Sequence, residues 1–225
     1  MIRFLPVLLA IGLALVMYRF SAWRTSKVLD QKSARMQDPA LDKLTAEMAK
    51  ALDIPRIKVR IYEIAPINGL AAPDGRIFIT RGFFNKYKAG EVSAEEMASV
   101  IAHELGHVAL GHSRRRMIDF AGQNAIRLVL MTVIGRIIPF VGAYLVNFLI
   151  SLLAARLSRQ DEYEADAYAA ALLTKVGIGV EPQVRLLQKL EFLTGSTGSP
   201  VAWLMSHPKA SERVAAIRKL EAGWG

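Results

Sequence analysis

The sequence predicts an α+β fold that is mostly helical, with a small β-sheet and an N-terminal transmembrane anchor. Three observations support this prediction. Residues 4–20 form an apolar run, residues 57–62 and 76–80 have the composition of strands, and most of the remaining chain has helical periodicity. The two strand patterns precede the longest helical part, so a small sheet is expected beside a larger set of helices.

The composition limits the classes of protein to which the chain can belong. Its 225 residues carry a net charge of +9, and 52% of them are hydrophobic. Such a charge is typical of proteins that bind nucleic acid or an anionic membrane surface. The sequence has no nucleic-acid-binding motif, so it favours membrane lipid as a partner and no nucleic acid. The absence of cysteine excludes disulfide bonds, a thiolate nucleophile and cysteine metal ligands.

The N-terminal apolar run indicates a transmembrane anchor, which we place at residues 1–22. Residues 4–20 lie at the short end of the roughly 17–25 residues that cross a bilayer as a helix. A cleaved signal peptide is the alternative, but no small-residue cleavage site follows the run. Residues 23–37 are polar and basic, as expected of a juxtamembrane linker. Because most nearby basic residues follow the anchor, the positive-inside rule favours the cytoplasmic side for the main domain.

The main domain is expected at residues 38–222 and begins with a helix. Asp38 suits the N-cap of this helix, and Pro39 suits its first position. The two strand patterns come next. After them, Ser93 with Glu96 three residues later forms the capping box of another helix.

A second apolar segment, residues 117–157, predicts a hydrophobic helical hairpin. Residues 137–155 are uncharged over about the width of a membrane. The first arm carries Asp119, Arg127 and Arg136, whose charges are costly at the centre of a bilayer. We therefore expect a hairpin that packs on the domain or lies against the membrane. A two-span hairpin and a buried pair of core helices are the alternatives.

Two histidines in the helix that follows Ser93 have the spacing of metal ligands. His103 and His107 are four residues apart and so lie on one face, where both imidazoles can reach one ion. Glu104 lies beside them on the helix, where it can contact a water on the metal without ligating the metal. This is the HExxH arrangement of a zincin, in which the glutamate is the general base.

A catalytic zinc ion needs a third protein ligand and one open position. A metzincin would have a histidine six residues after the second ligand, whereas His112 lies five residues after His107. Glu162, on a later predicted helix, is the better candidate for the third ligand. Asp166 lies one turn further on the same face, where it can accept the outer N–H group of a ligand histidine. Glu164 points elsewhere and is interpreted as part of a solvated face.

Four motifs in a characteristic order resemble a known family. They are an upstream segment at residues 68–82, the HELGH motif that begins at His103, the ExxAD motif that ends at Asp166, and a late Ser206-His207-Pro208 with Arg213. Over residues 38–220 the chain resembles the HtpX and CaaX-prenyl-protease-like zinc metallopeptidases, a gluzincin family.

This resemblance implies a zincin-type metalloprotease domain that binds one Zn²⁺ ion per chain. The implied ligands are His103, His107 and Glu162, with Glu104 as the general base. The resemblance also implies a role in the active site for His207. That role is either to polarise the reaction intermediate or to occupy the open position of the metal in a resting state.

A substrate-binding strand is also expected from the resemblance. The strand at residues 76–80 would pair with an extended peptide through Ile77, Phe78 and Ile79. Asn68 is expected to contact the substrate beside this strand. The chain departs from the family here, because the family often has Ala-Phe after this asparagine and this chain has Gly69-Leu70.

The expected function is therefore that of a zinc metalloendopeptidase that acts on protein or peptide substrates, in membrane or envelope protein quality control. The expected location is a cell membrane, the bacterial inner membrane, through the single N-terminal anchor. The alternative is a catalytically silent zinc-fold chaperone or scaffold at the membrane, which the presence of Glu104 disfavours. A prenylated substrate is disfavoured too, because that activity goes in the family with a many-span membrane chamber.

Overall fold

The computed structural model describes most of the chain: residues 26–72, 74–112, 142–195 and 209–224, together with 12, 16, 19, 20, 23, 24, 115, 122–124, 126, 127, 130 and 131. The chain divides into two compact units. One unit comprises residues 1–31 and 113–157, and the other comprises residues 32–112 and 158–225. The second unit contains all the strands named below and the predicted metal ligands.

The helices and strands of the described residues follow in chain order. They are β1 (Ser33–Arg35), α1 (Pro39–Ala51), β2 (Val59–Tyr62), β3 (Gly69–Ala71), β4 (Ile77–Thr80), α2 (Arg81–Lys88), α3 (Ala94–Ala109), α4 (Gly142–Lys175), α5 (Glu181–Gly195) and α6 (Ala210–Ala222). The prediction of a mostly helical α+β fold with a small sheet is confirmed.

The sheet has the strand order β1-β2-β4-β3. The central strands β2 and β4 are parallel, whereas β1 pairs with β2 and β3 pairs with β4 in antiparallel fashion. Helix α3 packs against β3 and β4. The strand β3 thus forms one edge of the sheet and lies beside the helix that carries the HExxH motif.

Two of the four strands lie where the sequence analysis expects no strand. Strand β1 lies within the expected linker at residues 23–37 and pairs with β2, so part of this segment belongs to the sheet. Strand β3 lies in a turn-rich segment. Each has only three residues, too few for a periodic pattern, and each is held by its neighbour in the sheet rather than by local preference.

Both predicted helix starts are confirmed. The Asp38 carboxylate accepts a hydrogen bond from the backbone N–H of Leu41 at 3.1 Å, and Pro39 takes the first helical position. At the start of α3, the Ser93 hydroxyl accepts from the Glu96 N–H at 3.2 Å, and the Glu96 carboxylate accepts from the Ser93 N–H at 2.9 Å. This capping box fixes where the HExxH helix begins.

The hydrophobic core of the second unit lies between the sheet and the helices. Its most completely buried side chains come from the sheet and from helices α1 to α4 and α6: Leu41, Met48, Ile77, Phe78, Ile79, Phe83, Met97, Ile101, Leu173 and Ile217. Burying a side chain of this size contributes about 1.5–3 kcal/mol relative to leaving it exposed. The core therefore holds α3 in a fixed position against the sheet.

The predicted anchor at residues 1–22 and the first arm of the predicted hairpin lie largely outside the described residues. Helix α4 includes the second arm of that hairpin from Gly142 onward. Among the helices that the structure describes, none combines the length and the apolar content that crossing a bilayer requires.

We predict that Gly82→Ala strongly destabilises the fold. A Cβ atom at Gly82 would overlap the backbone carbonyl oxygen of Ala65. This oxygen belongs to the segment that connects β2 to β3, so the main chain of that segment would have to move. Overpacking against backbone costs about 3 kcal/mol or more, and urea unfolding would measure this loss. Gly223→Ala is the control, because its Cβ would make an ordinary contact at 3.4 Å with the carbonyl oxygen of Leu220. Equal losses in the two variants would contradict the prediction.

Candidate metal centre

The three predicted metal ligands lie together in the second unit. His103 and His107 come from α3, and Glu162 comes from α4. The two histidine Nε2 atoms are 3.2 Å apart, and each lies 3.4 Å from an oxygen of Glu162. All three side chains are buried and could hold a single metal ion. Two imidazole nitrogens and a carboxylate are donors that suit zinc and similar divalent transition metals, so the donor set fits the implied ion.

The close approach of α3 and α4 brings these ligands together. A Cβ atom at Gly106 would lie 3.0 Å from the Cα atom of Ala165 and 3.1 Å from its carbonyl oxygen. Gly106 is the glycine of the HELGH motif, and Ala165 is the alanine of the ExxAD motif. These two small residues therefore set the distance between the helices, and Glu162 reaches the histidines because of it.

The outer nitrogen of His103 contacts a buried carboxylate, as predicted from the position of Asp166. His103 Nδ1 lies 3.0 Å from Asp166 Oδ1, and this contact orients the ring so that Nε2 faces the other ligands. Burial by itself lowers the pKa of His103. Hydrogen bonds to the carboxylates of Asp166 and Glu162 outweigh this and raise the pKa of His103 to about 9. These carboxylates therefore make the ring more basic than an ordinary imidazole.

Two residues that the sequence analysis did not assign hold Asp166 in place. Arg213, on α6, donates two hydrogen bonds of 2.6 Å to the two oxygens of Asp166, and Gln183 on α5 donates another at 3.2 Å. Burial raises the pKa of Asp166, but the Arg213 guanidinium holds it well below its usual range. Asp166 therefore stays ionised in the interior. The sequence analysis named Arg213 only as part of the late family motif. No motif or spacing in the sequence pointed to Gln183.

The outer nitrogen of His107 contacts another histidine. His107 Nδ1 lies 2.8 Å from His112 Nδ1, and His112 Nε2 lies 3.2 Å from Glu164 Oε2. Glu164 also accepts a hydrogen bond of 2.9 Å from Gln160. This corrects the interpretation of Glu164 as a solvated residue, because its carboxylate contacts a fully buried histidine.

Glu104 lines a small cavity beside the metal ligands. The cavity has a volume of about 30 Å³ and is also bordered by Gly69, Val100 and His103. A water molecule needs roughly 10–15 Å³ of such space, so the cavity has room for one beside the Glu104 carboxylate. Glu104 is buried as well, at 7% exposure.

The structure corrects the expectation that β4 pairs with a substrate. Strand β4 is hydrogen-bonded to β2 on one side and to β3 on the other, so it has no free edge. Its residues Ile77, Phe78 and Ile79 are fully buried. The edge strand on this side is β3, which follows Asn68. His207 lies outside the described residues, and its role stays a prediction.

We predict that Gly106→Ala lowers the affinity for the metal. The added methyl group would push α3 away from Ala165 and so move Glu162 away from the histidines. We expect at least a tenfold weaker affinity for Zn²⁺, measured by competition with a chelator. Ala109→Val adds bulk to the exposed end of the same helix and should leave the affinity unchanged. Unchanged affinity in Gly106→Ala would show that the helix spacing does not set the site.

Comparison with known proteins finds similar sequences among metalloproteases. The Escherichia coli (strain K12) Metalloprotease LoiP is 31% identical over 165 residues, which are 72% of this chain and 62% of LoiP. Metalloprotease YcaL of the same bacterium is 29% identical over 180 residues, 78% of this chain and 68% of YcaL. A Protease HtpX homolog of Bordetella avium (strain 197N) is 26% identical over 230 residues, 87% of this chain and 75% of the homolog. The chain thus spans less than two thirds of the length of LoiP.

A family match covers the part of the chain that holds the site. The family model of Peptidase family M48 matches residues 35–221, which include all three candidate ligands, Glu104 and Asp166. The resemblance to HtpX-like metallopeptidases is therefore confirmed. Because the match extends over most of its length, the chain belongs to Peptidase family M48.

Proposed function

We propose that the chain is a zinc-dependent metalloendopeptidase that hydrolyses peptide bonds of protein substrates. The observation that carries this proposal is the buried group of His103, His107 and Glu162 with Glu104 beside it. Three protein ligands leave a fourth position open for water or substrate, as in catalytic zinc sites. One Zn²⁺ ion per chain is proposed.

Each residue around the site would have a separate role in peptide-bond hydrolysis. A bound zinc ion would lower the pKa of a water molecule and polarise the carbonyl group of the scissile bond. Glu104 takes a proton from the attacking water and later gives it to the nitrogen of the leaving amine. With a metal ion bound, His103 and His107 would be neutral ligands, and their outer nitrogens keep their rings fixed. We assign His207 to the stabilisation of the negative charge that develops on the carbonyl oxygen.

The open edge of β3 supports a binding mode for the substrate. The backbone of Asn68 and that of Ala72 hydrogen-bond on the side of β4, with N···O distances of 3.0 and 2.8 Å. In an antiparallel pair the hydrogen-bonded residues alternate, so Leu70 also faces β4. The backbone groups of Gly69 and Ala71 then face outward. We propose that an extended substrate adds to this edge as a further strand.

The close approach of Gly69 to Glu104 supports this binding mode, because Glu104 is the proposed general base. A Cβ atom at Gly69 would lie 2.8 Å from Val100 Cγ1 and 3.1 Å from Glu104 Oε1. Glycine therefore lets β3 approach the HExxH helix closely, where the family often has alanine. The side-chain oxygen of Asn68 is buried and has no hydrogen-bond partner among the described residues.

We place the enzyme at a cell membrane, in envelope or membrane protein quality control. The apolar run at residues 4–20 supports an N-terminal anchor there, and the net charge of +9 supports contact with anionic lipid. The charge distribution favours a cytoplasmic catalytic domain. A catalytically silent chaperone or scaffold remains the second candidate, and the next experiment separates the two.

We predict that Glu104→Gln abolishes proteolysis but preserves the metal. Glutamine cannot accept the proton from water, so the rate should fall by about 10²–10⁴-fold. Metal content should stay at one equivalent because Glu104 is not a ligand. The measurement is zinc content together with the cleavage of casein, an unstructured protein, by the full-length chain.

The matched control for this variant is Glu47→Gln, which changes an exposed glutamate on α1. It should leave both zinc content and cleavage at the wild-type level. A wild-type chain that binds zinc and cleaves nothing would favour the silent scaffold. A wild-type chain that binds no zinc would refute the proposed function.

We predict that Ala71→Pro weakens substrate binding without disturbing the sheet. Proline removes the outward N–H group of Ala71, and proline is tolerated on an edge strand when that group faces outward. The expected result is a tenfold or larger rise in KM for casein-derived peptides, with zinc content unchanged. Ala71→Val keeps the N–H group and is the control. Equal KM values for the two variants would place the substrate elsewhere.

A further inference from the structure

A second group of ionisable side chains lies behind His107. It consists of His112, Asp161 and Glu164, whose nearest ligand atoms lie within 4.8 Å of one another. His112 and Asp161 are buried, at 1% and 2% exposure, while Glu164 is partly exposed. The proposed mechanism gives this group no role. It could hold a second metal ion, or it could form a hydrogen-bonded chain that ends at His107.

The two possibilities differ in which ring nitrogen of His107 and of His112 carries the hydrogen. His107 Nε2 lies 3.2 Å from His103 Nε2 and 3.4 Å from Glu162, so this nitrogen is the one that faces the metal site. A neutral imidazole that binds a metal through Nε2 carries its hydrogen on Nδ1. The Nδ1 atoms of His107 and His112 are 2.8 Å apart. His107 Nδ1 is therefore the donor of this hydrogen bond. His112 Nδ1 carries no hydrogen and accepts it.

The far side of His112 fits this assignment. If Nδ1 is bare, the hydrogen of the neutral ring lies on Nε2. That atom is 3.2 Å from Glu164 Oε2 and 3.9 Å from Asp161 Oδ1. A nitrogen that carries a hydrogen cannot bind a metal. A metal on this atom would move the hydrogen to Nδ1, where it would face the hydrogen of His107.

We propose that His112 is a positioning residue that holds His107 in the tautomer and orientation required for metal binding, with Glu164 as its own acceptor and the Asp161 carboxylate nearby. The proposal rests on the proposed metal site and deepens it. Each ligand histidine then has a carboxylate behind it. Asp166 contacts His103 directly, whereas the carboxylates behind His107 act through His112.

The difference between the two arrangements has a structural origin. The Asp166 carboxylate comes from α4 and is fixed by Arg213 and Gln183 from two other helices. His112 comes just after the end of α3, where Gly111 adopts a φ of +66°. This left-handed residue turns the chain back so that a histidine five positions after His107 reaches its outer nitrogen.

The tautomers can be observed directly in the full-length chain with ¹⁵N-labelled histidine and one equivalent of Zn²⁺. The chain has four histidines, so the two-bond nitrogen–proton spectrum is simple to assign with His112→Asn as a reference. We expect His107 to carry its hydrogen on Nδ1 and His112 to carry its hydrogen on Nε2 alone. A hydrogen on Nδ1 of His112 would overturn the proposal. Two bound zinc equivalents, one of them lost in His112→Asn, would overturn it in favour of a second metal site.

Two substitutions test the consequence for the metal. His112→Leu removes the acceptor for His107, and the dissociation constant for Zn²⁺ should rise about 10- to 100-fold. His112→Asn places an amide oxygen near the position of Nδ1 and should recover most of this loss. Equal losses in both variants would indicate a packing role and overturn the proposal, as would unchanged affinity in His112→Leu.

Controls separate this proposal from the proposed function. Asp166→Asn should weaken zinc binding from the His103 side, and Glu47→Gln should have no effect. If the wild-type chain binds one zinc ion but the tautomers differ from those expected, only the role of His112 fails. If the wild-type chain binds no zinc, both proposals fail. The wild-type spectrum decides the matter even if His112→Leu does not fold.

Discussion

The contact between Gly106 and Ala165 is the constraint on which the candidate site depends. The backbones of α3 and α4 approach there so closely that a methyl group on Gly106 would lie 3.0 Å from the Cα atom of Ala165. Helices normally pack at roughly 8–10 Å between their axes, and small residues are needed at the short end of that range. A wider spacing would leave two histidines and a glutamate as separate buried groups, each costly to desolvate. The small residues of the two motifs thus matter as much to the metal centre as the ligands themselves.

The metal ligands are surrounded by a second set of polar side chains that hold them in place. His103 and His107 each have one nitrogen toward Glu162 and one nitrogen toward a second partner. Buried polar groups of this kind are costly when they are left unpaired. The carboxylate of Asp166 avoids this cost through the guanidinium of Arg213. The result is a set of ligands whose orientation is fixed before any ion arrives, and this lowers the entropy lost on binding.

The sequence predicted those parts of the site that depend on local spacing. Two histidines four residues apart must share a helical face, and the ExxAD spacing must place Glu162 and Asp166 on one face of another helix. Both inferences required no tertiary information. The edge strand β3 could not be predicted, because it is three residues long and exists only by pairing with β4. The contact of Glu164 with His112 and that of Asp166 with Arg213 could not be predicted either, since residues that contact across 52 or 47 positions leave no periodic signal.

The dependence of the site on α6 has a consequence for the order of events during synthesis. Arg213 follows all three candidate ligands in the sequence, and it neutralises the carboxylate that orients the first ligand histidine. A nascent chain that has emerged only as far as α5 carries every candidate ligand, but Asp166 is then a carboxylate without its cation, and burying it is unfavourable. The metal centre is therefore completed only after α6 has been synthesised. Until then the orientation of His103 lacks the support that an ionised Asp166 gives it in the folded unit.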